Sequence, residues 1–277
     1  LVELAFIIPT KFLEDYAVQG DIHLALAHRV LKDKKYADFY RRESKRGEYV
    51  ILDNSLYEFG EAFAPELLLK AAEKIIATEI VAPDVLYNGS LTVKSFNKFK
   101  ELLKESNQKD VRVQGVIQGS TVSGFVNCAI KLADRVDTLG LSILSCPKVF
   151  GGNYGGMTVE QKGAFSRVES LLHIQSVFNV FAGEGFASEV PDIHYLGLNH
   201  YSELGVMNKL DDLVRSNDSS AAFVAGYHKV KFTDNYFGVD YKKLGSFSDV
   251  EDLRVLDDEQ RECIQHNINV CKRMTSC

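Results

Sequence analysis

The chain reads as an α/β protein, a single (β/α)8 barrel of the TIM type with a helical C-terminal tail. Short apolar runs alternate with longer amphipathic stretches almost throughout, the rhythm of parallel strands joined by crossover helices. Seven or eight such units fit a closed barrel better than an open, doubly wound sheet. The 277 residues suit one domain of this kind, and no linker, repeat or low-complexity segment divides them. The barrel is expected over 1–246 and the tail over 247–277.

The run LAFIIPT (4–10) reads as the first strand. Ile22, Leu24, Leu26, Val30 and Leu31 read as one apolar helix face, with Asp21 placed to cap it. YVILDNS (49–55) is a second strand, and Pro65 opens a helix over 65–76, where its missing N–H costs least. EIVAPDV (79–85) is a third strand, followed by a helix over 92–105. RVQGVIQG (112–119) and TLGLSIL (138–144) are the fourth and fifth, with a helix over 121–134 between them. After the loop SCPKVFGGNYGGM comes a helix near 158–173. IHYLGLN (193–199) is the sixth strand, followed by a helix over 201–209, and LVRSNDSS (213–220) is the seventh. KVKFTDNYF (229–237) offers an eighth, and the tail reads as helical over 247–273.

Composition narrows the class. Hydrophobic residues make up 45% and charged residues 25% of the chain, which is ordinary for a soluble globular protein with a core of good size. No run of eighteen apolar residues occurs, so no membrane span is expected. The apolar N-terminus lacks a basic leader and reads as a strand. The net charge of −6 does not advertise nucleic-acid binding. Basic residues nevertheless crowd 32–46 and recur at Lys94, Lys98, Lys100 and Lys104. They read either as solvated helix faces or as phosphate-contacting patches. Five cysteines, an odd number without compact disulfide spacing over most of the chain, suit a reducing, cytoplasmic compartment.

In such barrels the chemistry sits at the C-terminal ends of the strands. Four runs end in polar residues: Asp53 with Asn54, Asp84, Gln118 and Asp218. Each alone could be a turn former; four aimed at one mouth are harder to dismiss. The GGNYGG loop (151–156) matches no phosphate-binding fingerprint and reads as a flexible loop or a substrate lid. His23, His28, His173, His194, His200 and His228 show no paired metal spacing and read as core or surface residues. Acid–base work therefore falls to carboxylates.

The ordered series ILDNSLYEFG, VAPDV, VIQGS, YLGLN and RSNDSSAAFVAG, spanning residues 49–228, resembles the tRNA-guanine transglycosylase superfamily. It looks most similar to the phage and bacterial branch that inserts 7-deazaguanines into DNA. The resemblance implies that Asp218 is the nucleophile and Asp53 the general acid/base. It implies that Tyr57 stacks on the base, and that Asp84, Gln118 and Asn54 bind it. Two departures stand out: the family's DSGG becomes DNSL (53–56), and TLGLS (138–142) is at most a remnant of the glycine-rich base-binding segment.

The implied reaction exchanges guanine in DNA for a 7-deazaguanine such as 7-cyano-7-deazaguanine, through a covalent aspartyl–sugar intermediate. Configuration is retained, as in retaining glycosidases. Asp53 serves as the acid if burial or the charge of Asp218 raises its pKa. The partners implied are double-stranded DNA, with tRNA as the alternative, and the free deazaguanine. For a phage-encoded chain the compartment is the host cytoplasm. Duplex DNA must have its base flipped, with residues 145–157 as the candidate wedge and Arg215, Lys229 and Lys231 as candidate nucleic-acid contacts. The chemistry needs no cofactor. The zinc motif of the tRNA enzymes is absent, but Cys263, His266, Cys271 and Cys277 supply the ligand types for a structural zinc, against the plainer reading as incidental tail residues. Competing readings are a non-catalytic nucleic-acid-binding paralogue and an unrelated barrel enzyme acting on a phosphorylated metabolite.

Overall fold

The computed structural model describes residues 1–154, 156–183, 191–198, 200–210, 212–233 and 245–276. Eight strands, β1 (Glu3–Phe6), β2 (His23–Leu26), β3 (Val50–Asp53), β4 (Glu79–Val81), β5 (Arg112–Val116), β6 (Thr138–Ser142), β7 (Asp192–Leu196) and β8 (Val214–Ser219), form one sheet. All seven ladders are parallel, in the order β1-β8-β7-β6-β5-β4-β3-β2. Helices lie between the strands and one long helix ends the chain, so the expected (β/α)8 barrel is the observed architecture. No helix among the described residues is long and apolar enough to cross a membrane.

The seam between β1 and β2 is closed by Asp21. Its N–H donates to the Leu4 carbonyl at 2.8 Å, and its carboxylate accepts the Leu4 N–H at 3.0 Å. This corrects the reading of Asp21 as a helix cap. The helix expected to begin at Ile22 is instead the strand β2, running directly into a helix over Ala27–Lys32. Ile22, Leu24 and Leu26 are buried at a period of two, and the rings of Phe39 and Tyr40 cover His23 on the other face. That alternation was in the sequence, masked by the helical period that follows it.

The strand count shifts accordingly, and Asp218 belongs to the eighth strand. The segment 229–237 supplies no strand over its described part, 229–233; residues 234–237 lie outside the described residues. Residues 230–232 are pinned to the terminal helix Asp258–Ser276 instead. Asn267 donates to the Val230 carbonyl at 2.9 Å and accepts the Phe232 N–H at 2.7 Å. The other expected helices appear at Pro65–Ile75, Gly89–Glu105, Val122–Ala133, Val159–Gly183 and Glu203–Asn208.

Polar groups fill the N-terminal end of the barrel. Glu79 is fully buried and accepts hydrogen bonds from Arg215 at 3.0 and 3.2 Å, Tyr49 at 2.6 Å and Thr138 at 3.0 Å. Burial alone would raise its pKa, but Arg215 and Tyr49 outweigh burial and hold it below the ordinary value. A register shift between β7 and β8 explains how adjacent residues Arg215 and Ser216 both reach polar groups inside. Removing the carboxylate alone, as in Glu79→Ala, leaves Arg215 only the half-exposed Asp192 at 3.6 Å and is expected to cost about 3–5 kcal/mol. The check is a lowered urea midpoint at unchanged m; an unmoved midpoint would contradict the assignment.

Candidate active site at the barrel mouth

The C-terminal ends of the strands open into a cavity of about 1000 Å³, counted out to its mouth. Its walls are mostly aliphatic, from Leu24, Leu26, Val81, Val116 and Leu196, and four carboxyl groups reach it: Asp53, Glu58, Asp84 and Asp218. Tyr57 and Asn54 also line it. Of the residues expected at the site, Asp53, Asn54, Tyr57, Asp84 and Asp218 therefore share one cavity, while Gln118 stands behind its wall.

Asp218 sits on β8, paired in register with Ala5 of β1. Its Oδ1 accepts two hydrogen bonds, from His194 Nε2 at 3.0 Å and from the Gly197 N–H at 3.1 Å. Among the described residues no donor reaches Oδ2, which is left to the cavity. His194 is fully buried, and its Nδ1 lies 2.7 Å from Ser216 Oγ. Arg215 Nε–H donates to that oxygen at 3.2 Å, so the serine proton is available to Nδ1. Nε2, the atom facing the carboxylate, is then the ring nitrogen that donates to it. The sequence reading treated His194 as a core residue. It is one, but its position on β7 beside Asp218 on β8 also makes it the orienting partner of that carboxylate. The IHYLGLN run placed it inside a strand; only the β7–β8 pairing reveals its partner.

Gly197 must present its N–H to Asp218 from the left-handed region, at φ +73°. A β-carbon there would also approach the Ile143 side chain at 3.0 Å. The ends of β6 and β7 are held by Arg167, a fully buried side chain from the helix Val159–Gly183. It pairs with Glu203 at 2.5 Å and donates to the carbonyls of Leu196 at 3.2 Å and Leu141 at 3.4 Å.

Asp84 is buried and fixed by two amides. Asn54 Nδ2 donates to Oδ1 at 2.8 Å and Gln118 Nε2 to Oδ2 at 2.6 Å. The other amide functions are also engaged. Asn54 donates to the Ala82 carbonyl and accepts the Leu56 N–H, while Gln118 accepts the Tyr87 N–H. Gln118 thus holds Asp84 in place rather than meeting a base itself. Burial raises the Asp84 carboxyl to about 6, the two amides opposing the shift.

Asp53 ends β3, and its Oδ2 accepts the Ser55 N–H at 2.6 Å. Ser55 is in the left-handed conformation at φ 61°, and its Oγ accepts the His28 N–H at 3.2 Å and lies 3.0 Å from His28 Nδ1. A β-carbon-bearing residue held there stores strain next to a site. The turn swings the chain into the one-turn helix Leu56–Phe59, which delivers Tyr57 and Glu58 to the cavity. Burial first, then the charge of Glu58, pushes Asp53 well above its ordinary value. Glu58 was not singled out in the sequence, although it lies within ILDNSLYEFG. Burial and the charges of Asp218 and Glu251 push it up to about 7.

Other expectations change. Arg215 belongs to the buried floor with Glu79, at the opposite end of the strands from the mouth, so the structure does not bring it to the site. Lys229 pairs with Glu259 at 2.6 Å and Asp257 at 3.1 Å, and Lys231 with Glu262 at 2.6 Å, all at the surface. The described residues of 145–157 do not line the cavity; Ser142, Ile143 and Leu144 do. Residues 145–150 form a short helix with Cys146 and Phe150 buried. Phe247, assigned to the tail, forms part of the cavity wall beside Ser246. Asn199 of the YLGLN motif lies outside the described residues.

Among the described residues no group of three metal-ligating side chains is assembled. Cys263 and Cys271 are buried on one helix, about 12 Å apart along its axis at 1.5 Å per residue, too far to share one zinc. His266 Nε2 contacts the Phe232 carbonyl at 2.9 Å. Cys277 lies outside the described residues.

The chain matches no model of a known protein family, and no curated protein matches it. Fold and site together define a (β/α)8 barrel with a carboxylate-lined mouth.

Glu58 binds its proton more tightly in the folded chain than its ordinary value of 4.5 allows. Its contribution to stability is therefore whole below about pH 4.5 and is lost as pH rises towards about 7. Glu58→Gln removes that loss. Its Tm should gain on the parent between pH 5 and pH 8, and parallel Tm–pH curves would contradict the shift.

Proposed function

We propose that the chain is a base-exchange glycosyltransferase that replaces guanine in DNA with a 7-deazaguanine such as 7-cyano-7-deazaguanine. The observation that carries the reading is the arrangement of Asp218: Oδ1 held by His194 and Gly197, Oδ2 open to a cavity shared with Asp53 and an amide-clamped Asp84. The resemblance of residues 49–228 to guanine transglycosylases supports it and supplies the choice of DNA.

In this reading the Oδ2 of ionised Asp218 attacks C1′ of the target nucleotide. The C1′–O bond forms as the C1′–N9 bond breaks, and the departing guanine takes a proton from a neutral carboxyl, Asp53. The arriving base returns its N9 proton to that carboxylate and attacks C1′, and Asp218 leaves. Two displacements retain the configuration. A carboxyl raised by burial beside an acceptor-only partner suits these two roles.

Each Asp84 oxygen holds one amide donor and keeps a second acceptor site. Two such sites suit the neighbouring N1–H and 2-amino donors of guanine, which 7-deazaguanines share. Tyr57, 44% exposed at the rim, supplies a flat face for the ring. A base in duplex DNA must leave the stack to enter. Lys32, whose Nζ lies 5.6 Å from the Phe59 ring, puts positive charge beside this rim.

Labelled guanine or 7-cyano-7-deazaguanine should be incorporated into duplex DNA, and Asp218→Ala should abolish it. Incorporation into tRNA alone would overturn the polymer and keep the chemistry; incorporation into neither would overturn the activity. Asp84→Ala should raise the KM for the free base, with a loss in kcat/KM of about 10- to 100-fold, the worth of a charge-assisted hydrogen bond of roughly 1.5–3 kcal/mol.

A further inference from the structure

We infer that Glu58 is a second acid–base catalyst, which shares with Asp53 the proton that cycles between the departing and arriving bases. The inference rests on the base-exchange reading and adds to it a group that the sequence reading left out. Three features place Glu58 in the reaction. It lines the same cavity as Asp53 and Asp218. It is delivered there by a strained left-handed turn at Ser55, which His28 and Asp53 hold in place. Its Oε2 is buried and has no hydrogen-bond partner.

A buried carboxylate oxygen without a donor is costly, and a neutral carboxyl there needs an acceptor for its O–H. Asp84 and Asp218 have their donors from the protein, and Asp53 has the Ser55 N–H. A turn of the Glu58 side chain into the cavity it lines brings this open function to a ligand nitrogen or oxygen. A purine presents such acceptors on its ring nitrogens and O6.

The surroundings set the poise. Asp53, Asp218 and Glu251 act on Glu58 or feel its charge, as does the buried Tyr36. The positive charges on this side are partly engaged. Arg29 pairs with Asp252 and approaches Glu251, His28 approaches Glu251 at 3.5 Å, and Lys32 lies over Phe59. Negative charge therefore dominates around the Glu58 carboxyl. Its value near 7 suits it to give and recover a proton in turn, and burial pushes Asp53 up beside it. Two such neighbours titrate as a pair.

The balance needs no further reactant. In the first displacement the Asp53–Glu58 pair gives one proton to the leaving base as C1′–N9 breaks. In the second it takes one proton from N9–H of the arriving base as C1′–N9 re-forms.

The test compares wild type, Glu58→Gln and Glu58→Asp for exchange of labelled guanine into duplex DNA between pH 5 and pH 9. Wild type should show a limb in kcat near pH 7. Glu58→Gln should lower kcat by about 100- to 10,000-fold, leave the KM for guanine within a few-fold, and erase that limb from its residual activity. Glu58→Asp should recover part of kcat with the limb displaced. An active wild type whose limb survives unchanged in Glu58→Gln overturns the role of Glu58 and leaves the base-exchange reading intact. A wild type that exchanges no base into DNA or tRNA overturns the reading, and this inference with it. Should Glu58→Gln not fold, the Glu58→Asp profile decides: a displaced limb supports the inference and an unmoved one overturns it.

Discussion

Four carboxyl groups share one largely aliphatic cavity, and the cost of burying them is the constraint around which the mouth of the barrel is organised. Burying a charge is tolerable only where donors replace the lost water. The protein meets this unequally. Asp218 receives a ring N–H and a backbone N–H on one oxygen. Asp84 receives an amide on each oxygen. Asp53 receives one backbone N–H, and the Oε2 of Glu58 receives none. The gradation leaves Asp53 and Glu58, both pushed up by burial, with the fewest donors.

The scaffold below carries that gradation. Polar contacts run from the floor to the mouth: Glu79 to Arg215, Arg215 to Ser216, Ser216 to His194 and His194 to Asp218. Each member is buried or nearly so, which makes every missing partner expensive and each orientation well defined. The irregular register between β7 and β8 lets this row stay inside the barrel. Arg167 and Glu203 clamp the ends of β6 and β7 from outside, fixing the loop that offers the Gly197 N–H. The orientation of Asp218 thus depends on an interior relay and an exterior clamp.

The β3 side of the mouth is built on a different device. β2 closes the barrel through Asp21 and leads straight into His28, which holds Ser55 in its left-handed turn. The same turn sets Asp53, Tyr57 and Glu58 around one rim. Strain at Ser55 is offset by the hydrogen bonds it collects, as expected where backbone geometry is imposed by surrounding structure.

The sequence by itself determined the alternation of strands and helices, the barrel, and the strand-end placement of Asp53, Asp84 and Asp218. Those properties are local: apolar period, turn-forming residues and chain order suffice to read them. It misplaced β2, because four residues of alternation run directly into a helical period. It also took 229–237 for a strand, where the described part instead binds the terminal helix through Asn267. Only the tertiary structure decided what each polar residue does. Gln118 ends a strand as expected but spends both ends of its amide on Asp84 and Tyr87. Arg215, three residues from Asp218, belongs to the opposite end of the barrel. His194 and Glu58 carried no spacing that marked them, since their partners lie on neighbouring strands and turns far away in the chain. Proton affinity and hydrogen-bond commitment depend on distances across the barrel, and those distances exist only once the eight strands have closed.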